Sequence, residues 1–192
     1  LHISTRIRCV EGQLMNSTQL YRLAESKDAQ EAEKLLEEKG WPAFDWRDML
    51  KLEQVISQRR QQMMDLLYVH CPRPEMIEVF RLKYDYHNAK TLLKAAAMGR
   101  DPQPILLPGG RYDPAQLTEG WRREELRGCS PAFQKAMTQA KALLEDSHDP
   151  QQADLILDRA CFEEMAQLAK DTGSKFLQGY VSLSVDVANL RT

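Results

Sequence analysis

The apolar residues of this chain recur mainly at intervals of three and four positions, which places them on one face of an α-helix. A long helix is predicted to begin at Asp45 and to end before the prolines at positions 72 and 74. Its apolar face is formed by Met49, Leu52, Val55, Ile56, Met63, Leu66 and Leu67. The next predicted helix, at about 75–98, carries apolar side chains all round, so we expect it to be central and buried on most sides.

Polar residues that cap helices divide the rest of the chain. Asp28 and Glu31 form a capping-box pattern, and the helix that they open is expected to end at Gly40. A capping residue followed by proline occurs at 113–114, 130–131 and 149–150, and each pair predicts the start of a short helix. A last helix is expected after residues 173–174. No segment shows sustained two-residue alternation, so the sequence predicts an all-α fold.

One sequence pattern occurs twice. Residues 80–91 align without a gap with residues 181–192, which lie 101 positions later. The polar positions that the alignment pairs include Asp85 with Asp186, Asn88 with Asn189, and Lys90 with Arg191. When the alignment is continued back to residues 55 and 156, a stretch of some forty residues that includes this pattern repeats its apolar spacing. We therefore expect tandem helical-bundle repeats, a construction that is more typical of scaffolds than of enzymes.

The repeat also suggests where the units begin and end. Residues 100–113 contain three prolines and two glycines, which is typical of a connecting segment. The sequence therefore predicts a first helical unit at 1–99, a linker at 100–113, and a second unit at 114–192.

Composition narrows the classes of partner. A formal net charge of −2 gives no general attraction for nucleic acid or for an anionic membrane surface. No apolar run approaches the roughly 18–20 residues of a membrane span, and no signal peptide opens the chain. The four cysteines contain no Cys-x-x-Cys pair, so we expect free thiols rather than a zinc or redox motif. These observations predict a soluble protein.

The repeated polar pairs are the candidate structural site. Asp85 and Asn88 lie three residues apart in an apolar helix, so their side chains share a face. A buried polar group without a partner costs about 1–3 kcal/mol, so we expect the pair to fasten a neighbouring helix or loop. Asp186 and Asn189 are expected to do the same. The alternative is that such carboxylates bind a cation or a partner lysine.

Other polar patterns favour structural interpretations. Gly109 and Gly110 are followed by no Lys-Ser or Lys-Thr, so they predict a turn rather than a phosphate loop. Two adjacent pairs, His70-Cys71 and His148-Asp149, cannot close a four-ligand site by themselves. The neighbouring residues Glu163 and Glu164 are expected on a solvated helix face. We predict no catalytic residue, no cofactor site and no metal site.

Five segments together carry a resemblance to a known family. They are residues 5–11 (TRIRCVE), 83–90 (KYDYHNAK), 107–113 (LPGGRYD), 157–165 (LDRACFEEM) and 185–191 (VDVANLR). In these segments the chain resembles the C subunit of the archaeal and bacterial V-type ATP synthases, whose eukaryotic counterpart is the d subunit of the V-ATPase. The similarity extends along nearly the whole chain.

The resemblance implies a non-catalytic part of a rotary motor. Family members are all-helical and are built of three related units about a pseudo-threefold axis, which together form a funnel. The funnel is peripheral, on the cytoplasmic face of the membrane, and joins the D- and F-type central-shaft subunits to the membrane rotor ring. ATP hydrolysis or synthesis is thereby coupled to proton or sodium transport.

The chain departs from this family in length, since a third unit is expected after residue 192. We therefore expect a fragment that carries two of the three units. The alternative to the motor role is a helical-repeat scaffold for protein–protein interaction that is unrelated to the motor. An enzyme would instead require residues assembled from distant parts of the fold.

Overall fold

In a computed structural model the backbone is described for residues 2–43 and 48–191, and the side chains for residues 4–43 and 48–190. This part of the chain forms nine α-helices, one short 3₁₀ turn and no strand. The helices are α1 (His2–Glu11), α2 (Ser17–Ala24), α3 (Ala29–Glu37), α4 (Met49–His70), α5 (Glu75–Met98), α6 (Pro114–Arg122), α7 (Pro131–Ser147), α8 (Pro150–Asp171) and α9 (Lys175–Arg191). The predicted all-α class is confirmed.

The chain divides into two compact units, residues 1–59 and residues 60–192. The boundary lies within α4, and residues 100–113 belong to the second unit. The predicted division into repeat units at residues 100–113 stays a prediction.

Local side-chain caps define the short helices of the first unit. Asn16 and Gln19 form a reciprocal capping box at the start of α2. Asp28 accepts a hydrogen bond from the backbone N–H of Glu31, as the sequence predicts, and α3 follows it. The predicted helix start at Asp45 lies outside the described residues. Within them, the Asp48 carboxylate accepts from the Lys51 N–H at the start of α4.

Helix α5 is the central element of the second unit, and its observed bounds match the predicted span of 75–98. It packs against α6, α7 and α8, which explains why apolar residues surround it on several sides. Gly99 ends the helix in a left-handed conformation with φ of 60°. Its buried residues are Val79, Leu82, Asp85, Tyr86, Asn88, Ala89, Thr91, Leu92, Leu93 and Ala95.

The three proline-initiated helices begin where the sequence predicts. Asp113, Ser130 and Asp149 each accept a backbone N–H in the first turn of α6, α7 and α8. The expectation that all three are short is wrong for α7 and α8, which contain 17 and 22 residues. Both continue because their apolar rows persist; in α7 the row is Phe133, Ala136, Met137 and Ala140, all buried.

The core of the second unit is formed where α5, α7, α8 and α9 meet. Phe133 of α7 lies at its centre and packs edge-on against Tyr86, with ring centroids 5.2 Å apart. Leu157 and Met165 of α8 are buried in the same cluster, as are Leu177 and Val181 of α9. The second unit therefore has one continuous hydrophobic core.

Leu157→Ala should lower the free energy of unfolding by about 2–5 kcal/mol, because it leaves a cavity at a position that is fully buried. Leu155→Ala is the matched control, since Leu155 lies in the same helix but is 53% exposed. Chemical denaturation of both variants measures the difference. Equal stability losses would contradict the assignment of the core face of α8.

Candidate structural site: the Asp85–Arg111–Glu164 network

Asn88 fastens the segment that follows α5 back onto that helix. Its side-chain amide donates to the carbonyl of Leu107, and its side-chain oxygen accepts from the Leu107 N–H; both distances are 2.8 Å. Asn88 is completely buried, so this pairing satisfies an amide that would otherwise be costly to bury. Both backbone polar groups of Leu107 are thereby hydrogen-bonded to one side chain of α5.

Asp85 holds the same loop one helical turn earlier. Oδ1 accepts hydrogen bonds from the backbone N–H groups of Arg111 and Tyr112, at 2.8 and 3.2 Å. Oδ2 accepts from Nε of Arg111 at 2.8 Å. Because Asp85 is completely buried, its carboxylate depends on these donors.

Two glycines allow the loop to approach Asp85. Gly109 has φ of 102°, a conformation that favours glycine. A methyl group at Gly110 would overlap Oδ1 of Asp85. Arg81 then fixes the turn from outside, because its guanidinium donates to the carbonyls of both glycines. The turn predicted from the sequence is present, and it is required by the close packing of backbone on carboxylate.

Arg111 extends the network to α8. Its Nη1 donates to Oε1 of Glu164 at 2.9 Å, while the hydroxyl of Tyr86 donates to Oε2 at 2.9 Å. One guanidinium therefore joins α5, the loop and α8. Its Nη2 is a buried donor without an acceptor among the described residues. Sequence reasoning missed Arg111 and Glu164, although an arginine directly after the glycine pair was a usable signal.

The prediction for the adjacent glutamates is half wrong. Glu163 is exposed and pairs with Arg159 one turn away, as expected of a solvated face. Glu164 points the other way, and its side chain is only 10% exposed because it lies against Arg111. Neighbouring residues on a helix point about 100° apart, so one can face solvent while the next enters the core.

Two further ion pairs join α5 to α8. Nζ of Lys90 lies 2.6 Å from the Asp158 carboxylate, and Nζ of Lys94 lies 2.6 Å from that of Asp154. Since the partner numbers fall as the α5 numbers rise, the two helices are antiparallel. Lys90, which belongs to the repeated sequence pattern, therefore contacts α8.

Burial governs the protonation of the network. Burial raises the pKa of Asp85, and the hydrogen bond and positive charge of Arg111 oppose that shift. Burial would lower the pKa of Arg111, but hydrogen bonds to Asp85 and Glu164 outweigh it and raise the pKa, so the guanidinium stays charged. The pKa of Tyr86 is raised by burial and by the charge of Glu164, so the phenol keeps its proton.

This arrangement is suited to fastening rather than to chemistry. All four carboxylate oxygens of Asp85 and Glu164 already accept a hydrogen bond from a protein donor. A general base needs an acceptor that can reach a substrate, and these acceptors are engaged inside the core. Among residues 4–43 and 48–190, no three His, Cys, Asp or Glu side chains are grouped so as to hold a metal ion.

Comparison with known proteins places the chain in a family. Residues 3–192 match the family described as ATP synthase (C/AC39) subunit. The chain belongs to this family. No solved structure gave a significant match.

Its similarity to individual family members is distant but extends over much of the chain. The C subunit of the V-type ATP synthase of Thermus thermophilus is 28% identical over 123 residues, which are 62% of this chain and 38% of that protein. The C subunit of the V-type sodium ATPase of Enterococcus hirae is 24% identical over 71% of this chain and 42% of its own length. The C subunit of the A-type ATP synthase of Methanocaldococcus jannaschii is 23% identical over 99% and 52%. The matches thus span only about half, or less, of these relatives.

In this C/AC39-family chain the second polar pair differs from the first in its surroundings. Asp186 and Asn189 lie on α9 and are exposed, whereas Asp85 and Asn88 are buried. Leu183 and Leu190 of the same helix are also exposed, by 64% and 87%. The side chain of Arg191 lies outside the described residues. The fastening role of the second pair stays a prediction.

The second unit of this family member also carries an open groove of about 560 Å³ at the C-terminal end of α5. Its walls are mainly apolar and include Leu93, Ala97, Met98, Trp121, Leu144 and His148. The groove lies away from the Asp85 network.

Of the helices seen in residues 2–43 and 48–191, none combines the length and apolar character needed to cross a membrane.

Arg111→Met should lower the free energy of unfolding by about 3–5 kcal/mol at pH 7, because it leaves Asp85 buried without its cation. The loss should shrink as the pH falls. The folded-state pKa of Asp85 is raised by burial, so its ionisation destabilises the fold once the pH exceeds its unfolded value of about 4. Denaturation at pH 4 and pH 7 measures both effects.

Two controls accompany this variant. Arg159→Met removes an exposed ion pair within α8, the helix that carries Glu164, and should leave unfolding close to wild type. Adding Asp85→Asn to Arg111→Met should recover part of the loss at pH 7, because the neutral amide oxygen still accepts the loop N–H groups. A pH-independent loss, or no recovery in the double variant, would show that the charge of Asp85 is unimportant.

Proposed function

We propose that this chain is a non-catalytic coupling part of a rotary V-type ATPase or ATP synthase. It connects the D- and F-type subunits of the central shaft to the membrane rotor ring, so that ATP hydrolysis or synthesis is coupled to ion transport. The observation that carries the proposal is the family match over residues 3–192. In this role the chain is peripheral, on the cytoplasmic face of the membrane.

The structure supports this proposal through the way its polar groups are used. A part that transmits torque must keep its helices in fixed positions under load, and it needs no open reactive site. In the second unit Arg111 joins two helices and a loop, while Lys90 and Lys94 add ion pairs along the same interface. Buried charge pairs of this kind favour one arrangement of helices over its alternatives.

The names of the relatives support the proposal in the same direction. Two of the related proteins are named as ATP synthase subunits and one as a sodium ATPase subunit. Each is designated the C subunit of its complex. A role as a coupling subunit is compatible with either direction of operation.

The test is assembly with the motor. The natural-length protein, tagged and co-expressed with the shaft subunits and rotor ring of its own genome, should co-purify with both in stoichiometric amounts. A tagged helical-repeat protein of similar size serves as the control for non-specific capture. If the folded protein captures neither neighbour, the motor role is excluded and the interaction-scaffold alternative is favoured.

We further propose that Asp186 and Asn189 fasten a partner segment in the way that Asp85 and Asn88 fasten residues 107–112. The two pairs have the same spacing, and each lies on a helix that contributes buried apolar residues to the core of the second unit. The partner segment would supply backbone N–H and C=O groups to the two side chains. It would also cover Leu183 and Leu190.

Replacing Asp186 and Asn189 together by alanine should therefore lower the melting temperature of the natural-length protein by several degrees, since two buried polar contacts would be lost. Gln178→Ala, at an exposed position of the same helix, is the control. Thermal melting followed by circular dichroism makes the comparison. An unchanged melting temperature in the double variant would show that the second pair fastens nothing.

A further inference from the structure

Three cations gather around two aromatic rings on α4 and α5 of the second unit. We call this surface, formed by Arg60, Arg81, Lys83, Tyr68 and Tyr84, the tyrosine patch. The guanidinium of Arg60 lies 5.1 Å from the centroid of the Tyr84 ring, and Nζ of Lys83 lies 5.0 Å from the same centroid. The guanidinium of Arg81 lies 5.2 Å from the centroid of Tyr68. Two positively charged groups thus contact one ring.

The loop fastened by Asp85 also supports this patch. The loop at Gly109 lies beside the Tyr84 ring and the aliphatic stem of Arg60, since a Cβ there would lie 3.7 and 3.8 Å from them. Arg81 donates to the carbonyls of Gly109 and Gly110. The cations therefore stand on a fixed surface, which reduces the entropy that a partner must remove on binding.

Arg81 and Lys83 differ from Lys90 and Lys94 of α5 in their contacts. Lys90 and Lys94 each contact a carboxylate of α8. Lys83 is exposed and contacts the Tyr84 ring, and Arg81 contacts backbone carbonyls; among the described residues neither forms an ion pair. A ring or a carbonyl leaves the positive charge uncompensated. Lys83 and Arg81 therefore give the patch local positive charge on a chain whose net charge is −2.

We propose that the tyrosine patch binds an acidic segment of a neighbouring protein subunit, whose carboxylates contact Lys83 and Arg81. The inference deepens the proposed function and rests on it, because the neighbour is one of the rotor subunits. The net negative charge of the chain opposes approach to long polyanions such as nucleic acid or an anionic membrane, whereas a short acidic segment meets only the local positive field. Guanidinium groups also bind carboxylates in a bidentate geometry.

The first test measures binding of a fluorescein-labelled peptide of ten glutamates to the natural-length protein by anisotropy at low ionic strength. The charge reversal Lys83→Glu should weaken binding about tenfold. Lys135→Glu is the matched control, because it changes the net charge equally at an exposed lysine elsewhere. The control should bind nearly as wild type. Equal losses in the two variants, or no saturable binding by wild type, would overturn the proposal.

Two further measurements test whether the variant is misfolded and whether the ligand is a lipid rather than a protein. Lys83→Gln alone changes one exposed side chain, so it should melt as wild type and still weaken the peptide about threefold. Vesicles containing 30% phosphatidylserine should not bind in a Lys83-dependent manner. If the protein bound these vesicles with higher affinity than the peptide, and Lys83→Gln weakened that binding, the ligand would be a lipid surface and the proposal would be refuted.

The assembly experiment separates this inference from the proposed function. If wild type co-purifies with the rotor subunits, the charge-reversed variant should dissociate from them at lower salt than wild type does. If both resist salt equally, the tyrosine patch is not the contact, and the coupling role stands. If wild type itself fails to assemble, the coupling role fails, while peptide binding still reports on the patch.

Discussion

The pairing of Asp85 with Arg111 is the interaction on which the second unit depends. A completely buried carboxylate is stable only where its surroundings supply positive charge and N–H donors, and here a single loop residue supplies both. Arg111 in turn needs Glu164 to balance its charge, and Glu164 accepts from Tyr86. Four polar side chains from α5, the loop and α8 thus form an interdependent set inside an apolar core.

Much of the fold could be predicted because its signals are local. The bounds of α5 follow from Pro74, Gly99 and a run of apolar residues, and the starts of α6, α7 and α8 follow from capping residues placed before prolines. The burial of Asp85 and Asn88 could be expected from their apolar neighbours. The lengths of α7 and α8 were underestimated because the caps mark where a helix begins and say nothing of where it ends.

The rest of the site depends on long-range contacts, which leave no local pattern. Helical spacing places Glu164 on the buried face of α8 with Leu157 and Cys161, but its partner Arg111 is distant in the chain and could not be predicted from that spacing. Asp186 and Asn189 show the converse, since they share the spacing of Asp85 and Asn88 but lie exposed. A polar motif specifies what a side chain can bind, whereas burial depends on what packs against it.

The spacing of the charges between α5 and α8 has a mechanical consequence. Lys90 and Lys94 are one turn apart, as are Asp154 and Asp158, so sliding one helix by a turn would still offer Lys94 a carboxylate. Those two pairs alone therefore tolerate slippage. Arg111 opposes such slippage. It is held at one position along α5 by its bond to Asp85, and from there it pairs with Glu164 of α8. The Asp85–Arg111–Glu164 contacts thus fix the register of α5 against α8 and oppose sliding of the two helices along their axes.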